Sequence, residues 1–465
     1  MKLKNNNSNL SIYLFTLFIS ILFSSCNNKN ECNSTYFGGK IINPKANYVV
    51  LFENETATDT FYLNKNDNFL GEIPLLKEGL FYFKHGNEHQ YVYLEPKDSL
   101  LIRLNTWDFD ETLVFSGRGA ERNNLLIDCF LESEKDEKEF YPYYELSPSK
   151  FSSKVEATEK IKLARFNDFI SKYPYESEKY KTILKIALTF PLYTRIENYP
   201  MAHSAIVDNK KHIDISSSFY KHRKIISLDK DSMMFFYAYR EYLVSNLYNK
   251  VNSLGHDISS NEFTVGLLKT IASEMNNENS RNSMLKQTVI THFYRKSSCD
   301  INTQAFDTYL NLSTSLKDKK LVTNLLTDTK KIKKGFVLQD FSVTDYNKTK
   351  RSIKSLIRNK NTVLYFWNPE FSSKDFIASR VQYFSKKHPN LEFIGVKIIG
   401  DYKSRIKKLD IKSQYYLDSD SKANSFLTSK MPRTILINKN GFVSNGYASL
   451  SSRKVVKQLE ILAKK

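Results

Sequence analysis

Apolar and polar positions change their period twice along this 465-residue chain. Between residues 35 and 118, short apolar runs recur with turn residues between them, the alternating pattern of half-buried strands. The strands predicted are 48–52, 60–63, 80–83, 90–94, 100–104 and 112–115, with a hairpin at Gly86-Asn87 and a turn over 95–98. Short strands at this spacing predict a small sandwich or barrel. From 119 to 330 the period becomes helical. Phe151, Val155, Ile161, Phe166 and Ile170 mark one stripe that stops before Tyr173-Pro174, and Phe236, Tyr239, Leu243 and Leu247 mark a clearer one. Further amphipathic runs cover 262–275, 284–294 and 303–312, with no internal repeat that would make this all-α region a solenoid.

After 331, strands and helices alternate. Residues 362–367 form an apolar, aromatic and β-branched run, the pattern of a buried strand. Asn368-Pro369-Glu370 breaks it, and Ser372 with Asp375 three residues later predicts a cap for a helix over 376–384. A strand running straight into a helix start makes a small electropositive cradle of N–H groups. Beyond it the pattern predicts a strand at 391–399, a helix at 402–409, a short strand at 414–417, a helical turn at 421–427 and a closing helix at 453–463. The fold class expected is therefore multidomain. It comprises a small all-β domain at 35–118, an all-α middle region at 119–330 and a carboxyl-terminal α/β domain at 331–465.

Charge changes the picture only once it is located. Residues 331–465 carry 28 Lys and Arg against 10 Asp and Glu, so +18 of the total +19 sits there. Such a bias concerns partners and solubility rather than fold. An anionic membrane surface, an acidic glycan or an acidic protein partner fits it, and so does a solvated lysine-rich surface with no partner; nucleic acid does not fit the compartment that the amino terminus implies. Lys2 and Lys4 precede an apolar stretch at 10–23, an export signal over 1–25. It ends in Leu22-Phe23-Ser24-Ser25-Cys26, which resembles the bacterial lipoprotein cleavage box, with Phe23 where Leu, Val or Ala is usual. The resemblance implies that Cys26 becomes the lipid-modified amino terminus, with 26–34 as a tether; a plain secretory signal is the alternative. No later stretch reaches the roughly 18 apolar residues of a membrane span. A soluble body anchored in the cell envelope, at the outer membrane, is the expectation.

Several features are read structurally. His85 and His89 flank the hairpin turn and are expected to be exposed turn residues, since a metal site needs at least a third ligand. Gly117-Arg118-Gly119 lacks the spacing and the Lys-Ser/Thr of a phosphate loop and reads as a sheet-to-helix turn. Cys32, Cys129 and Cys299 form no C-x-x-C; buried free thiols are expected, with a Cys129–Cys299 pair as the alternative.

Residues 334–465 resemble the thioredoxin-like domain of bacterial envelope thiol-disulfide oxidoreductases, the subgroup related to cytochrome-maturation proteins and peroxiredoxins. The family core reads F-W-x-x-x-C-x-x-C; this chain reads Phe366-Trp367-Asn368-Pro369-Glu370-Phe371-Ser372-Ser373-Lys374. Phe371 stands where the attacking cysteine belongs and Lys374 where the resolving one belongs, and Cys299 is the last cysteine in the chain. A second landmark is Met431-Pro432-Arg433, followed by an apolar run and the turn Lys439-Asn440-Gly441. In the family this proline is cis and faces the cysteine pair. The pattern Gly79-Leu80-Phe81, Tyr93-Leu94-Glu95-Pro96-Lys97-Asp98 and Phe115-Ser116-Gly117 resembles the β-domain preceding thioredoxin-like domains in lipoproteins of the Bacteroidetes.

The resemblance implies a fold kept and a chemistry lost. Disulfide exchange needs an attacking thiolate and a resolving thiol. Phenylalanine and lysine supply neither, and Ser372 and Ser373 lack a positioned base, His388 lying at the far end of the helix. The expectation is a non-catalytic protein- or peptide-binding module with neither cofactor nor metal. Trp367, Phe371, Met431 and Pro432 would form an apolar groove, and Lys374 and Arg433 a positive rim. In active members the loop before the proline pairs with the substrate's extended backbone. The rival expectations are a divergent thiol-disulfide oxidoreductase or peroxidase using Cys129, Cys299 or a partner's thiol, and a purely structural lipoprotein.

Overall fold

The structure, a computed structural model, describes residues 34–207, 215–399, 411 and 413–464. The expected export signal, Cys26, Cys32 and the helix expected over 402–409 lie outside these residues. Packing divides the chain into two compact units, Met1–Ile196 with Phe235–Tyr242, and Glu197–Met234 with Leu243–Lys465.

The first unit opens with eight strands: β1 (Thr35–Ile42), β2 (Tyr48–Glu53), β3 (Thr56–Tyr62), β4 (Asn68–Ile73), β5 (Gly79–His85), β6 (Glu88–Leu94), β7 (Ser99–Asn105) and β8 (Val114–Arg118). They form two four-stranded sheets, ordered β4-β1-β7-β8 and β3-β2-β5-β6. Phe37, Ile41, Leu100 and Ile102 of one sheet join Val49, Leu51, Phe83 and Val92 of the other in a single buried core, which makes the region a β-sandwich. β1 and β4 escaped the sequence reading because glycines interrupt their apolar pattern. Gly71 is needed there: a Cβ would come within 2.2 Å of the Phe61 ring. β8 starts two residues later than expected because Thr112 closes the preceding turn, its hydroxyl accepting from the Asn105 N–H at 2.8 Å and donating to the Asp108 carbonyl at 2.6 Å.

His85 corrects an expectation. It is buried, its Nδ1 donating to the Tyr48 carbonyl at 3.0 Å and its Nε2 accepting from the Lys45 N–H at 2.9 Å. The last residue of β5 points inward, and burial lowers the imidazole pKa, which suits this neutral tautomer. His89 is exposed as expected. Gly117 and Gly119 adopt left-handed φ values of 89° and 94° at the sheet-to-helix turn. A Cβ on Gly117 would meet the Ser99 carbonyl oxygen at 2.1 Å, so the turn demands glycine.

The helices that follow are α1 (Ala120–Phe140), α2 (Pro148–Lys172), α3 (Glu178–Ile206), α4 (Tyr237–Asn252), α5 (Asn261–Glu274), α6 (Glu278–Lys296), α7 (Gln304–Leu312) and α8 (Leu316–Lys331). Ser260, Asn277 and Ser315 cap α5, α6 and α8 through side-chain oxygens. α3 has no sequence stripe because it is buried on several sides, through Tyr180, Ile183, Leu184, Ile186, Leu188, Leu192 and Tyr199. Among the described residues, no helix is long and apolar enough to cross a membrane.

The second unit ends in β9 (Ser342–Asp345), β10 (Lys350–Ser352), α9 (Ile353–Ile357), β11 (Thr362–Trp367), α10 (Lys374–Lys387), β12 (Glu392–Lys397), β13 (Gln414–Tyr416), β14 (Arg433–Ile437), β15 (Val443–Ala448) and α11 (Lys454–Ala463). They make a seven-stranded mixed sheet ordered β10-β9-β13-β12-β11-β14-β15. β11 pairs parallel with β12 and antiparallel with β14. Every residue of β11 is buried, which explains its unbroken apolar run. Leu364 and Phe366 enter one core with Ile353, Val396, Phe426 and Ile435. Val363, Tyr365 and Trp367 enter the other, under α10 and α11 with Ile377, Val381, Phe384 and Leu459. The carboxyl-terminal part is thus a mixed sheet with a buried core on each face, the strand–helix–strand and hairpin order that the resemblance implies.

Candidate functional site

The turn from β11 into α10 is built on Asn368. This side chain is fully buried, its Nδ2 donating to the Lys430 carbonyl at 2.9 Å and its Oδ1 accepting from the Glu370 N–H at 3.0 Å. Its carbonyl accepts from the N–H groups of Phe371 and Ser372 at 3.0 and 2.9 Å. The helix is capped by Ser373, which accepts from the Phe376 N–H at 3.1 Å. Ser372, the cap expected from sequence, is instead held one step earlier by Asn368. Three N–H groups of the electropositive cradle, those of Phe371, Ser372 and Phe376, are therefore already satisfied within the loop.

Across from this turn lies the segment 428–432. Asp328 of α8, buried, accepts from the N–H and hydroxyl of Thr428 at 2.9 and 2.7 Å and from those of Ser429 at the same two distances. The Ser429 hydroxyl accepts in turn from the Met431 N–H at 3.3 Å. Tyr294 of α6 donates to the Pro432 carbonyl at 2.9 Å. Desolvation of the phenol pushes its pKa well above the ordinary value and keeps it a donor.

Between the two segments sits a cavity of about 350 Å³. Phe371, Phe376, Ile377, Met431, Pro432 and Leu450 give it an apolar lining, and Ser372, Ser373, Ser449 and Ser451 supply hydroxyls. Phe371 is 47% exposed, standing with its ring half in solvent.

Of the residues expected to form a groove, Phe371, Met431 and Pro432 come together in this cavity. Trp367 does not: it is buried in the core beneath α10, sharing the inward parity of Val363 and Tyr365. Lys374 is exposed in the first turn of α10 and is not part of the lining. Arg433 is no rim residue. It is buried, its Nε donating to the Gly446 carbonyl and its Nη1 to the Phe426 carbonyl, both at 2.7 Å, with its guanidinium 4.6 Å from the Tyr447 ring centre. Strand alternation explains this, since Arg433 shares the parity of Ile435 and Ile437 while Thr434 faces the cavity. Burial lowers the Arg433 pKa to about 10, still cationic at neutral pH.

Pro432 brings a further correction. No peptide bond among the described residues is cis, so the Met431–Pro432 bond is trans. The chain reverses through Lys430 instead, which takes a left-handed φ of 55°. Trans is the favoured isomer of an X–Pro bond by about 0.5–1 kcal/mol. Part of the backbone expected to pair with a bound segment is engaged within the chain. The Lys430 and Pro432 carbonyls and the Met431 N–H already bond to Asn368, Tyr294 and Ser429.

Asn368, Tyr294 and Asp328 are the site residues that sequence reasoning missed. Asp328 left a signal: it follows Val322 and Leu325 at three-residue spacing, a carboxylate on the buried stripe of α8. Cys129 and Cys299 are both free thiols, and burial pushes the Cys129 thiol up to about 12, far from thiolate formation at neutral pH.

No protein-family model matches the chain, and no curated protein matches it. Solved structures align with part of it. An inferred thiol-disulfide oxidoreductase from Bacteroides vulgatus is 21% identical, with 28% of this chain and 98% of that one covered and a TM-score of 0.25. A thiol:disulfide interchange protein from Bacteroides sp. is 18% identical over 29% of this chain and 92% of its own, with a TM-score of 0.24. A thiol peroxidase from Chromobacterium violaceum is 12% identical over 28% and 87%, with a TM-score of 0.23.

Proposed function

We propose that the carboxyl-terminal domain is a non-catalytic protein- or peptide-binding module on an envelope lipoprotein anchored through Cys26. The observation that carries this reading is the apolar cavity at the strand-to-helix turn, lined by Phe371, the residue that the family resemblance aligns with an attacking cysteine. Its binding mode differs from strand addition. With the Lys430 and Pro432 carbonyls and the Met431 N–H already hydrogen-bonded inside the chain, recognition falls to the cavity, which accepts one large apolar side chain of the partner. Of the serines at its edge, Ser373 caps α10 and Ser449 bonds to Ser451, so the Ser372 hydroxyl is the one offered to that partner's backbone.

The test is fluorescence titration of the processed chain, residues 26–465, against a library of labelled extended peptides. Binders should share a large apolar residue, and Phe371→Ser should weaken them about tenfold, the loss of an aromatic anchor worth roughly 1–2 kcal/mol. Phe371 is half exposed, so this variant should fold. Peptide affinities indifferent to Phe371 and to Met431→Ala would remove the reading. The oxidoreductase alternative finds little support in Cys129, whose buried thiol resists ionisation.

A further inference from the structure

A second surface of the same domain has chemistry that the cavity reading does not use. Residues 335–338 run beside the tip of the β14–β15 hairpin. The Gly335 N–H donates to the Val443 carbonyl at 2.8 Å, the Val443 N–H to the Phe336 carbonyl at 2.9 Å, and the Leu338 N–H to the Gly441 carbonyl at 3.3 Å. This pairing fixes three large apolar side chains outward: Phe336 is 65% exposed, Val337 54% and Phe442 43%. Val337 and Phe442 are direct bridge partners. Soluble surfaces scatter such residues singly; a backbone-fixed group of them marks an interaction site.

The surroundings say what kind. A depression of about 560 Å³ adjoins the group, floored by Ile332, Leu338, Phe341, Phe426 and Val443 and edged by Lys331, Lys333 and Lys422. All three lysines are exposed. The one carboxylate there, Asp340, is engaged within the fold by the Ser352 hydroxyl at 2.8 Å and the Lys354 N–H at 3.0 Å. Aromatic and aliphatic side chains ringed by long ammonium-bearing ones match the layered chemistry of an anionic bilayer surface. There apolar groups enter the headgroup boundary and lysines meet lipid phosphates. The +18 balance of residues 331–465 gives the domain as a whole a long-range attraction to that surface.

We infer that the face made by Phe336, Val337 and Phe442 with Lys331, Lys333 and Lys422 docks on a membrane surface rich in anionic lipid. This second contact is independent of any acyl chain on Cys26.

Sedimentation with vesicles tests it, using residues 26–465 with Cys26→Ser so that no acyl chain contributes. The chain should pellet with vesicles of equal parts phosphatidylcholine and phosphatidylglycerol and stay in solution with phosphatidylcholine alone. Combined Lys331→Glu, Lys333→Glu and Lys422→Glu should cut partitioning at least tenfold, and Phe336→Ser with Val337→Ser severalfold. A charge-matched control, Lys40→Glu, Lys65→Glu and Lys77→Glu on the β-sandwich, should bind as the parent does. Soluble glycerol phosphate should not displace the protein. Equal loss in the control, equal binding to neutral vesicles, displacement by glycerol phosphate, or no binding by the parent would overturn the inference.

Discussion

Glu197 is fully buried and yet charged. Burial alone would raise its pKa from 4.5, but hydrogen bonds from Arg223, His222 and Asn249 overcome that and bring it to about 2. Asn246 adds a bond at 3.0 Å. The carboxylate's folded pKa is depressed, so its contribution is complete above pH 4.5 and is lost as pH falls towards 2, on the order of 3 kcal/mol in all. His292 sets a second acid limb. It is buried, with Nδ1 2.7 Å from the Thr264 hydroxyl, and burial lowers its pKa from 6.5 to about 4. A base that stays neutral in the fold but is protonated when unfolded stabilises above pH 6.5 and loses that stability as pH falls to 4. Thermal melts across pH should therefore show His292→Gln flattening the upper limb and Glu197→Gln the lower, each variant melting lower at neutral pH. Unchanged limbs would contradict these assignments. Arg122 offers a third test at this scale. It is buried against Asp98, with Glu95 at 3.1 Å and Glu176 at 3.3 Å. Arg122→Ala should cost about 3–5 kcal/mol by denaturant unfolding, since it strands buried carboxylates.

At the scale of elements, the segment 428–432 is fastened by helices that precede it by a hundred residues or more. Asp328→Ala removes the acceptor of four bonds to Thr428 and Ser429. Amide exchange at Thr428 and Ser429 should then accelerate at least tenfold, whereas Tyr294→Phe should leave those amides nearly unchanged; equal protection in both variants would contradict the clamp. Sequence made β11 legible because a strand buried on both faces has no polar interruption. It made the 428–432 clamp illegible because Asp328 and its donors are brought together only by the fold. Ser372 and Ser373 are equally good caps by residue type, and the Asn368 carbonyl decides between them by taking the Ser372 N–H. Arg433 misled for the opposite reason. An arginine beside a proline looks like surface, but strand parity aims it inward, where backbone carbonyls and aromatic rings receive it.

For the whole molecule, periodicity alone conveyed a β region, a helical middle and a carboxyl-terminal α/β sheet. The two compact units divide within α3 and within α4, after Ile196 and after Tyr242. The central claim is the proposal that the carboxyl-terminal domain serves binding without thiol chemistry; no cysteine follows Cys299 in the sequence, and burial holds the Cys129 thiol up near 12. The most direct measurement is reduction of insulin disulfides by dithiothreitol with residues 26–465, compared with the same chain carrying Cys129→Ser and Cys299→Ser. The account predicts the uncatalysed rate for both proteins. A rate above background that disappears with the two cysteines would contradict it.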